Sequence, residues 1–315
     1  MEWPLHNDPA RSRRRFAALV ALVAALFAAG ARAEEPLAGT MKVMDPRSLG
    51  LAGALRASAG SCSGMYMNPA TIAMLRGYHI NLMYGYTSQD NLHNAGGAVV
   101  DSVTSQVIAA GLSLNYLRAE ERRTDHESWD ARLAVAGNIA DTLYLGMTGR
   151  YIRVEHDLES ANRGPNGVHA LPSSGGQQLD GLTFDAGAVL SLGGVVNIGV
   201  VGYNLSNPGS AYAPLQLAPG VALTLLGMLI IEGDVVVDFT SHAEVNEEVN
   251  AGIELFLANM VPLRVGYRYD VFLDIHGIAA GVGYSDQSFA VDVGFQHDIR
   301  ENGRLILALG LRLFL

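Results

Sequence analysis

Leu305-Ile-Leu-Ala-Leu-Gly-Leu-Arg-Leu-Phe-Leu315, the final stretch of the sequence, places leucine at every second position. Because successive side chains of a β-strand point to opposite faces, all six leucines share one face. The other face carries small residues and Arg312 between Ile306 and Phe314. In water this strand would be an aggregation-prone edge, whereas in a bilayer leucine faces lipid and the small and charged residues face a lumen. The pattern predicts a strand of a transmembrane β-barrel.

The same alternation recurs along the chain from Tyr78 onward. We predict fourteen strands of about 9–13 residues, each long enough to cross a bilayer as a tilted strand. They cover residues 78–88, 93–102, 106–118, 126–138, 141–154, 181–191, 195–205, 218–226, 229–239, 247–257, 262–271, 274–284, 287–297 and 303–315. The predicted fold is therefore all-β, with residues 78–315 forming a transmembrane antiparallel β-barrel.

The connections between the predicted strands tend to alternate in length. Long ones are predicted at 155–180, 206–217 and 240–246, and tight ones at 139–140, 192–194, 227–228 and 285–286. Outer-membrane barrels combine long outer loops with short periplasmic turns, and an even strand number places both chain ends in the periplasm. A soluble β-sandwich does not naturally produce this alternation. The pattern favours a location in the bacterial outer membrane, where outer-membrane lipid would surround the barrel.

Residues 1–33 have the three parts of a secretory signal peptide. Four arginines within residues 11–15 form a basic region, residues 16–29 are apolar, and Ala31-Arg-Ala33 has the small-x-small form of a cleavage site. The apolar run is shorter than the roughly 20 residues of a spanning helix. We therefore expect cleavage on export, with a retained membrane anchor as the alternative.

Charge and cysteine content exclude several classes of protein. Removing residues 1–33 leaves 16 basic and 29 acidic side chains, a formal net charge of −13, which speaks against a nucleic-acid partner. The single cysteine, Cys62, rules out a disulfide within the chain, and we expect it to be a small buried side chain. The spacing of potential ligands supports no metal site, and we expect no cofactor.

The polar faces of the predicted strands carry most of their charges. An arginine facing lipid at mid-membrane costs about 2–4 kcal/mol, so we expect these charges to face the lumen and to pair there. The lumen-facing candidates are Arg132, Arg150, Asp185, Glu232, Asp234, Glu254, Arg264, Arg268, Asp292, Arg304 and Arg312. A polar network that fills the interior is the expected role, and substrate binding by individual charges is the alternative.

Residues 34–77 differ in kind from the barrel strands. Small residues dominate, and no long strand pattern is visible. Asn68-Pro69 predicts a turn in which Pro69 biases Asn68 towards extended backbone, followed by one or two helical turns. The segment is too small for an independent apolar core. We expect it to fold into the barrel as a hatch.

This segment resembles a known family. Gly50-Leu-Ala-Gly-Ala-Leu-Arg-Ala-Ser-Ala59, followed by Asn68-Pro-Ala70 and the first strand, is similar to the N-terminal hatch of FadL-type outer-membrane transporters and of their PorV/PorQ-type relatives. Asp185-Ala-Gly187, Gly199-Val-Val-Gly-Tyr-Asn-Leu205 and Leu263-Arg-Val-Gly-Tyr267 resemble recurring strand phrases of the same proteins.

The resemblance implies a 14-stranded barrel with Asn68, Pro69 and Ala70 as the hatch motif. It also implies passive uptake of hydrophobic small molecules, of fatty-acid or hydrocarbon type, towards the periplasm. Two features depart from the family. The chain ends in Leu315 rather than phenylalanine, and its 282 residues after the signal are few for a FadL-type transporter.

Three other functions are weighed against uptake. A PorV-like barrel would dock secreted or surface proteins, and a simple diffusion porin would fold an outer loop, such as 155–180, into its lumen. An enzyme, such as a lipid hydrolase, would need a serine or aspartate paired with histidine at the membrane surface. The eight histidines after the signal are scattered, mostly near strand ends or in loops, so we expect no catalytic residues and no enzyme.

Overall fold

A closed barrel of fourteen antiparallel strands forms the body of the protein. The computed structural model describes residues 42–43, 45–88, 91–121, 124–140, 142–157, 177–210, 212–241, 245–299 and 303–315. The strands β1–β14 are Tyr78–Thr87, Leu92–Asp101, Ile108–Glu121, Thr124–Asn138, Leu143–Asp157, Gln177–Leu192, Val196–Tyr203, Gln216–Leu225, Leu229–Asp238, Asn246–Leu257, Val261–Asp270, Ile275–Ser285, Phe289–Asp298 and Leu305–Phe314.

The predicted fold class and strand number are confirmed. Each strand pairs with its neighbours in sequence, and β1 closes the barrel against β14 from His79↔Phe314 to Thr87↔Ile306. The predicted signal peptide, residues 1–33, lies outside the described residues. Within the described residues, no helix is long and apolar enough to cross a membrane.

The two ends of the barrel differ, and we call them the turn end and the loop end. The turn end holds the start of β1, the end of β14 and the connections that follow the even-numbered strands. The predicted alternation of loop lengths is only partly correct, because β1–β2 and β11–β12 join tightly at the loop end while six residues join β2 to β3 at the turn end.

The barrel wall is higher on one side at the loop end. Strand β2 pairs with β3 only as far as Leu92↔Ala119, whereas β3 and β4 remain paired to Glu121↔Thr124. Strands β5 and β6 also extend further than predicted, so the predicted 155–180 connection shortens to 158–176, which lies outside the described residues. Pairing between these longer strands makes the high wall.

The outward face has the two zones of a membrane barrel. Leucines 307, 309, 311 and 313 of β14 are 38–52% exposed, as the alternation predicts. Towards the loop end this face becomes aromatic. Tyr267 and Tyr269 surround His276; Tyr84 and Tyr86 surround His93 with the same spacing in sequence. Such girdles lie at the interface between hydrocarbon and headgroups.

The segment before β1 fills the lumen. It contains two short helices, α1 (Pro46–Gly50) and α2 (Gly64–Met67), and two 3₁₀ turns, η1 (Ser61–Ser63) and η2 (Pro69–Ala73). Nearly every residue from Asp45 to Ile72 is buried. Helix α1 lies against β11–β14, and η2 lies against β3–β6. We refer to residues 45–75 as the hatch.

Candidate functional site: the hatch and its surrounding wall

Local sequence explains how the hatch turns twice within a narrow lumen. Asp45 caps α1, because its carboxylate accepts a hydrogen bond from the Ser48 amide at 2.9 Å and Pro46 occupies the first helical position. Asn68 has extended backbone, as predicted from the following proline, and caps η2 by accepting from the Ala70 amide at 3.1 Å. Both caps satisfy amides that would otherwise be buried without a partner.

Two carboxylates of β9 hold the middle of the hatch. Asp234 accepts hydrogen bonds from the Arg56 guanidinium at 2.8 Å and from the Leu55 amide at 3.1 Å. Glu232 accepts from the Ala57 amide at 2.5 Å. Both carboxylates were predicted to face the lumen, and both are buried there. These donors belong to the hatch, so the wall binds the hatch backbone as well as its arginine; Asp234 also accepts from Asn250 of β10 at 3.1 Å.

A chain of alternating charges ties α1 to four strands. Glu254 of β10 is fully buried between Arg47 of the hatch, at 2.7 Å, and Arg264 of β11, also at 2.7 Å. Arg264 also binds Asp292 of β13 at 2.6 Å, and Asp292 binds Arg312 of β14 at 2.8 Å. Four predicted lumen residues meet here, with Arg47 as the partner supplied by the hatch.

A second group of predicted residues meets on the opposite wall. Arg132 and Arg150 share the carboxylate of Asp130, at 2.7 and 2.6 Å. Arg150 also donates to the Asn204 side chain at 3.0 Å, while Asp185 accepts from the Asn204 amide at 2.7 Å. These contacts join β4, β5 and β6 to the start of the β7–β8 loop. The arrangement is a paired network in which both arginines contact Asp130 directly and Asp185 supplies a second buried carboxylate nearby.

The last two predicted residues lie towards the loop end. Arg268 bridges Asp298, at 2.9 Å, and Glu248, at 3.3 Å. Arg304 precedes β14 and lies 3.4 Å from the other oxygen of Asp298. These two arginines are therefore separate from the α1 network.

The hatch motif lies at the point of closest contact with β5 and β6. The Asn68 side chain is fully buried and donates to the Arg56 carbonyl at 2.8 Å, which ties two turns of the hatch together. Gly187 of β6 leaves room for the Asn68 amide, and Gly146 of β5 leaves room for the Pro69–Ala70 backbone. A side chain at either glycine would overlap the motif.

Sequence reasoning missed a belt of glycines on the inner wall. A Cβ at Gly199 would lie 2.6 Å from the Arg56 carbonyl, and one at Gly310 would lie 2.7 Å from the Pro46 ring. Real Cβ atoms do not approach so closely, so these positions admit the hatch only without a side chain. Other members of the belt are Gly111, Gly146, Gly187, Gly252, Gly266, Gly281 and Gly294. Mid-strand glycines at inward positions are the signal that could have revealed the belt.

An apolar column runs along the other side of the lumen. Its loop-end part contains Leu49 of the hatch with wall residues of β2, β3 and β14, including Leu92, Leu117 and Ile306. A second cluster contains Cys62, Met65, Met83, Ala98 and Val100, among others. Val43 packs against both clusters and joins them. The column is therefore the apolar packing of the hatch against β1–β4 and β14.

The column ends at a cavity of about 180 Å³ at the turn end. Ala109 belongs both to the second cluster and to the cavity lining, and Ala73 packs against that cluster and lines the cavity. Arg76, Ser102 and Asn138 also line it. The apolar packing of the hatch thus reaches a cavity with a partly polar lining at this end.

The described residues contain no group of three or more histidine, cysteine or acidic side chains arranged to hold a metal ion. Cys62 is buried as predicted, and its thiol points at the His79 and Ala98 carbonyls at 3.7 Å. Burial raises the pKa of the Cys62 thiol to about 11, so it is poorly reactive while the hatch is docked.

Several solved structures share this fold. The CymD monoaromatic hydrocarbon channel is 12% identical, with a TM-score of 0.67 over 88% of this chain and 98% of that one. The Ralstonia pickettii toluene transporter TbuX is 13% identical, with a TM-score of 0.65 over 87% and 99%. A Pseudomonas aeruginosa FadL homologue is 14% identical, with a TM-score of 0.64 over 87% and 99%. The chain therefore has the fold of FadL-type outer-membrane channels, as the hatch motif predicted.

Comparison at the level of sequence adds nothing to this. No family model matches the chain, and no curated protein matches it.

Proposed function

We propose that this protein is an outer-membrane channel for the passive uptake of hydrophobic small molecules of hydrocarbon or fatty-acid type. The observation that carries the proposal is the hatch-filled barrel itself, in which an apolar side of the lumen packs against the hatch. The apolar side lies apart from the buried charges of β9–β13, so the lumen has surface that suits an apolar molecule. The fold shared with hydrocarbon channels and toluene transporters supports it.

The same proposal covers location and orientation. Residues 1–33 would direct export and be removed, and the barrel would lie in the bacterial outer membrane with its turn end towards the periplasm. The aromatic girdle near the loop end and the exposed leucines of β14 support membrane insertion. The role is transport, and no catalytic residue is proposed.

Uptake by cells tests the proposal, because a lipopolysaccharide-covered outer membrane slows hydrophobic molecules that cross simple bilayers unaided. Cells that express the protein should accumulate radiolabelled toluene or oleate faster than cells with an empty vector. The purified barrel should also bind at least one of these compounds. Equal accumulation together with no binding would refute uptake as the function.

A simple diffusion porin fits the site poorly. The hatch occupies the lumen and is held by paired, buried charges, so a hydrated solute meets a closed barrel. Docking of secreted or surface proteins remains the second candidate. Its support is an exposed apolar turn at the loop end, where Val271, Phe272 and Leu273 are 44–49% exposed. Loss of a co-purifying partner in Phe272→Ser, with uptake unchanged, would favour docking.

A further inference from the structure

Two tight hairpins at the loop end carry the same pair of side chains on their outward faces. In the β1–β2 hairpin, the Tyr84 hydroxyl lies 2.6 Å from Nδ1 of His93. In the β11–β12 hairpin, the Tyr267 hydroxyl lies 2.5 Å from Nδ1 of His276. Because a hydroxyl engages Nδ1 in each case, the other ring nitrogen, Nε2, is the one turned towards the surroundings of the hairpin.

The charges beside the two imidazoles are opposite in sign. His93 lies directly opposite Arg118 of β3, whose side chain is exposed on the outward face. Nε2 of His276 instead lies 4.0 Å from the carboxylate of Asp274, which also accepts a hydrogen bond from Tyr269 at 3.1 Å. An anion such as phosphate is therefore attracted to the first imidazole and repelled from the second.

The outward face of β3 places Arg118 at the level of lipid headgroups. Leu112 and Leu114 are 60% and 53% exposed, and Tyr116 comes next and packs against Trp129 with ring centroids 4.9 Å apart. Apolar side chains, an aromatic pair and then a cation thus follow one another at every second residue towards the loop end. Arg118 lies about 7 Å beyond Tyr116 along the strand, just outside the aromatic zone of the interface.

Arg118 also has an acidic neighbour. Glu127 of β4 lies directly opposite Arg118 on the side away from His93. A guanidinium carries five N–H donors, so Arg118 can bind this carboxylate and a phosphate at the same time. The side of Arg118 that faces His93 then offers two kinds of phosphate donor next to each other, a guanidinium and an imidazole.

We propose that the outward face of β1–β3 binds a phosphate group of lipid A in the outer leaflet, through Tyr84, His93 and Arg118. Arg118 donates a bidentate pair of hydrogen bonds to the phosphate, and His93 donates through Nε2. Tyr84 fixes the orientation of the imidazole. The inference goes beyond uptake and rests on the proposed orientation, in which the loop end faces outward and this surface meets lipopolysaccharide.

Binding of lipid A to the purified barrel tests the inference. Native mass spectrometry measures the fraction of barrel that carries one lipid A, with lipid A stripped of its phosphates as the reference ligand. The wild type should bind lipid A about tenfold more tightly than the reference. Arg118→Ala should remove this preference, since a charge-assisted hydrogen bond accounts for about tenfold in affinity. Arg118→Lys should recover part of it, because lysine keeps the charge without the bidentate geometry.

His276→Ala is the matched control, because it removes the same Tyr–His pair from a hairpin that carries Asp274 in place of an arginine. It should leave the affinity for lipid A unchanged, whereas His93→Ala should lower it about fivefold. The substituted side chains all lie on the outward face, so the variants should keep the barrel, which heat-modifiable migration on electrophoresis checks.

Two results would overturn the inference. One is equal binding of lipid A and its dephosphorylated form by the wild type, and the other is an equal loss of lipid A binding in Arg118→Ala and His276→Ala. Because the purified barrel is tested without any transported solute, neither result bears on uptake.

Discussion

Arg47→Ala is expected to weaken the docking of the hatch strongly. Glu254 is fully buried and holds Arg47 at 2.7 Å, with side-chain exposures of 0% and 11%. Removing one partner of a buried pair typically costs about 3–5 kcal/mol, because the remaining charge stays buried. Arg264 still binds Glu254 at 2.7 Å in the variant, so we take the lower value, about 3 kcal/mol. The population of released hatch should then rise about 150-fold.

Cys62 reports this release directly. It is the only cysteine in the chain, it lies within the hatch, and burial raises its thiol pKa to about 11. Cys62 is buried between the hatch and the wall, so a bulky, charged maleimide should label it only when the hatch is out. The labelling rate of the purified barrel then scales with the released fraction, and Arg47→Ala should label about 150 times faster than the wild type.

Arg153→Ala is the matched control for lost arginine charge. Arg153 pairs with Glu155, but both side chains are 45% exposed and the pair does not touch the hatch. Exposed pairs contribute about 0–1 kcal/mol, so labelling of Cys62 should not change. A labelling rate for Arg47→Ala within threefold of the wild type, or an equal increase in the control, would refute the account of hatch docking.

Three further predictions concern the hatch, the glycine belt and the membrane interface. Deletion of residues 34–76 should raise single-channel conductance, whereas conductance equal to that of the full chain would mean that this segment is no plug. Gly294→Ala places a methyl group against the hatch backbone and should loosen docking by about 1–3 kcal/mol, seen as faster Cys62 labelling. Gly233→Ala, whose new Cβ would meet its nearest atom at 3.7 Å, should label like the wild type. Phe272 lies three residues beyond Tyr269 of the girdle, within about 10 Å along the barrel axis, so it should reach the headgroup layer. A tryptophan at Phe272 in a Trp129→Phe background should be quenched by brominated lipid, and quenching by aqueous iodide alone would favour the docking candidate.

The lumen-facing charges show how much can be predicted from strand parity, the alternation of side chains between the two faces of a strand. Alternation alone placed residues such as Arg264 and Asp292 on one face, and this face is buried in the structure. Parity carries no information about contacts between distant strands, so the pairing of Glu254 with Arg47, 207 residues away, was not predicted. Asp130 shares the face of Arg132 two residues later, and it could have been found by the same rule.

Strand boundaries were predicted least well at the high wall. Strands β5 and β6 run several residues beyond their apolar zones, because pairing between Val154 and Leu179 and beyond satisfies the backbone above the membrane. The sequence there is polar, so it gives no lipid-facing alternation from which to predict a strand. Hydrogen bonding between the neighbouring strands β5 and β6 extends the wall, and this pairing cannot be predicted from sequence periodicity.

The sequence by itself determined the barrel, its strand number and which face of each strand meets lipid. A charge that faces lipid is energetically unfavourable, so apolar and polar residues alternate along each strand with a period of two. The tertiary structure decided where the hatch docks and which side of the lumen remains apolar. That outcome depends on a few glycines that let backbones touch and on ion pairs between residues far apart in sequence. Close approach and charge pairing depend on the hatch and the wall together, so they cannot be predicted from the sequence of one strand alone.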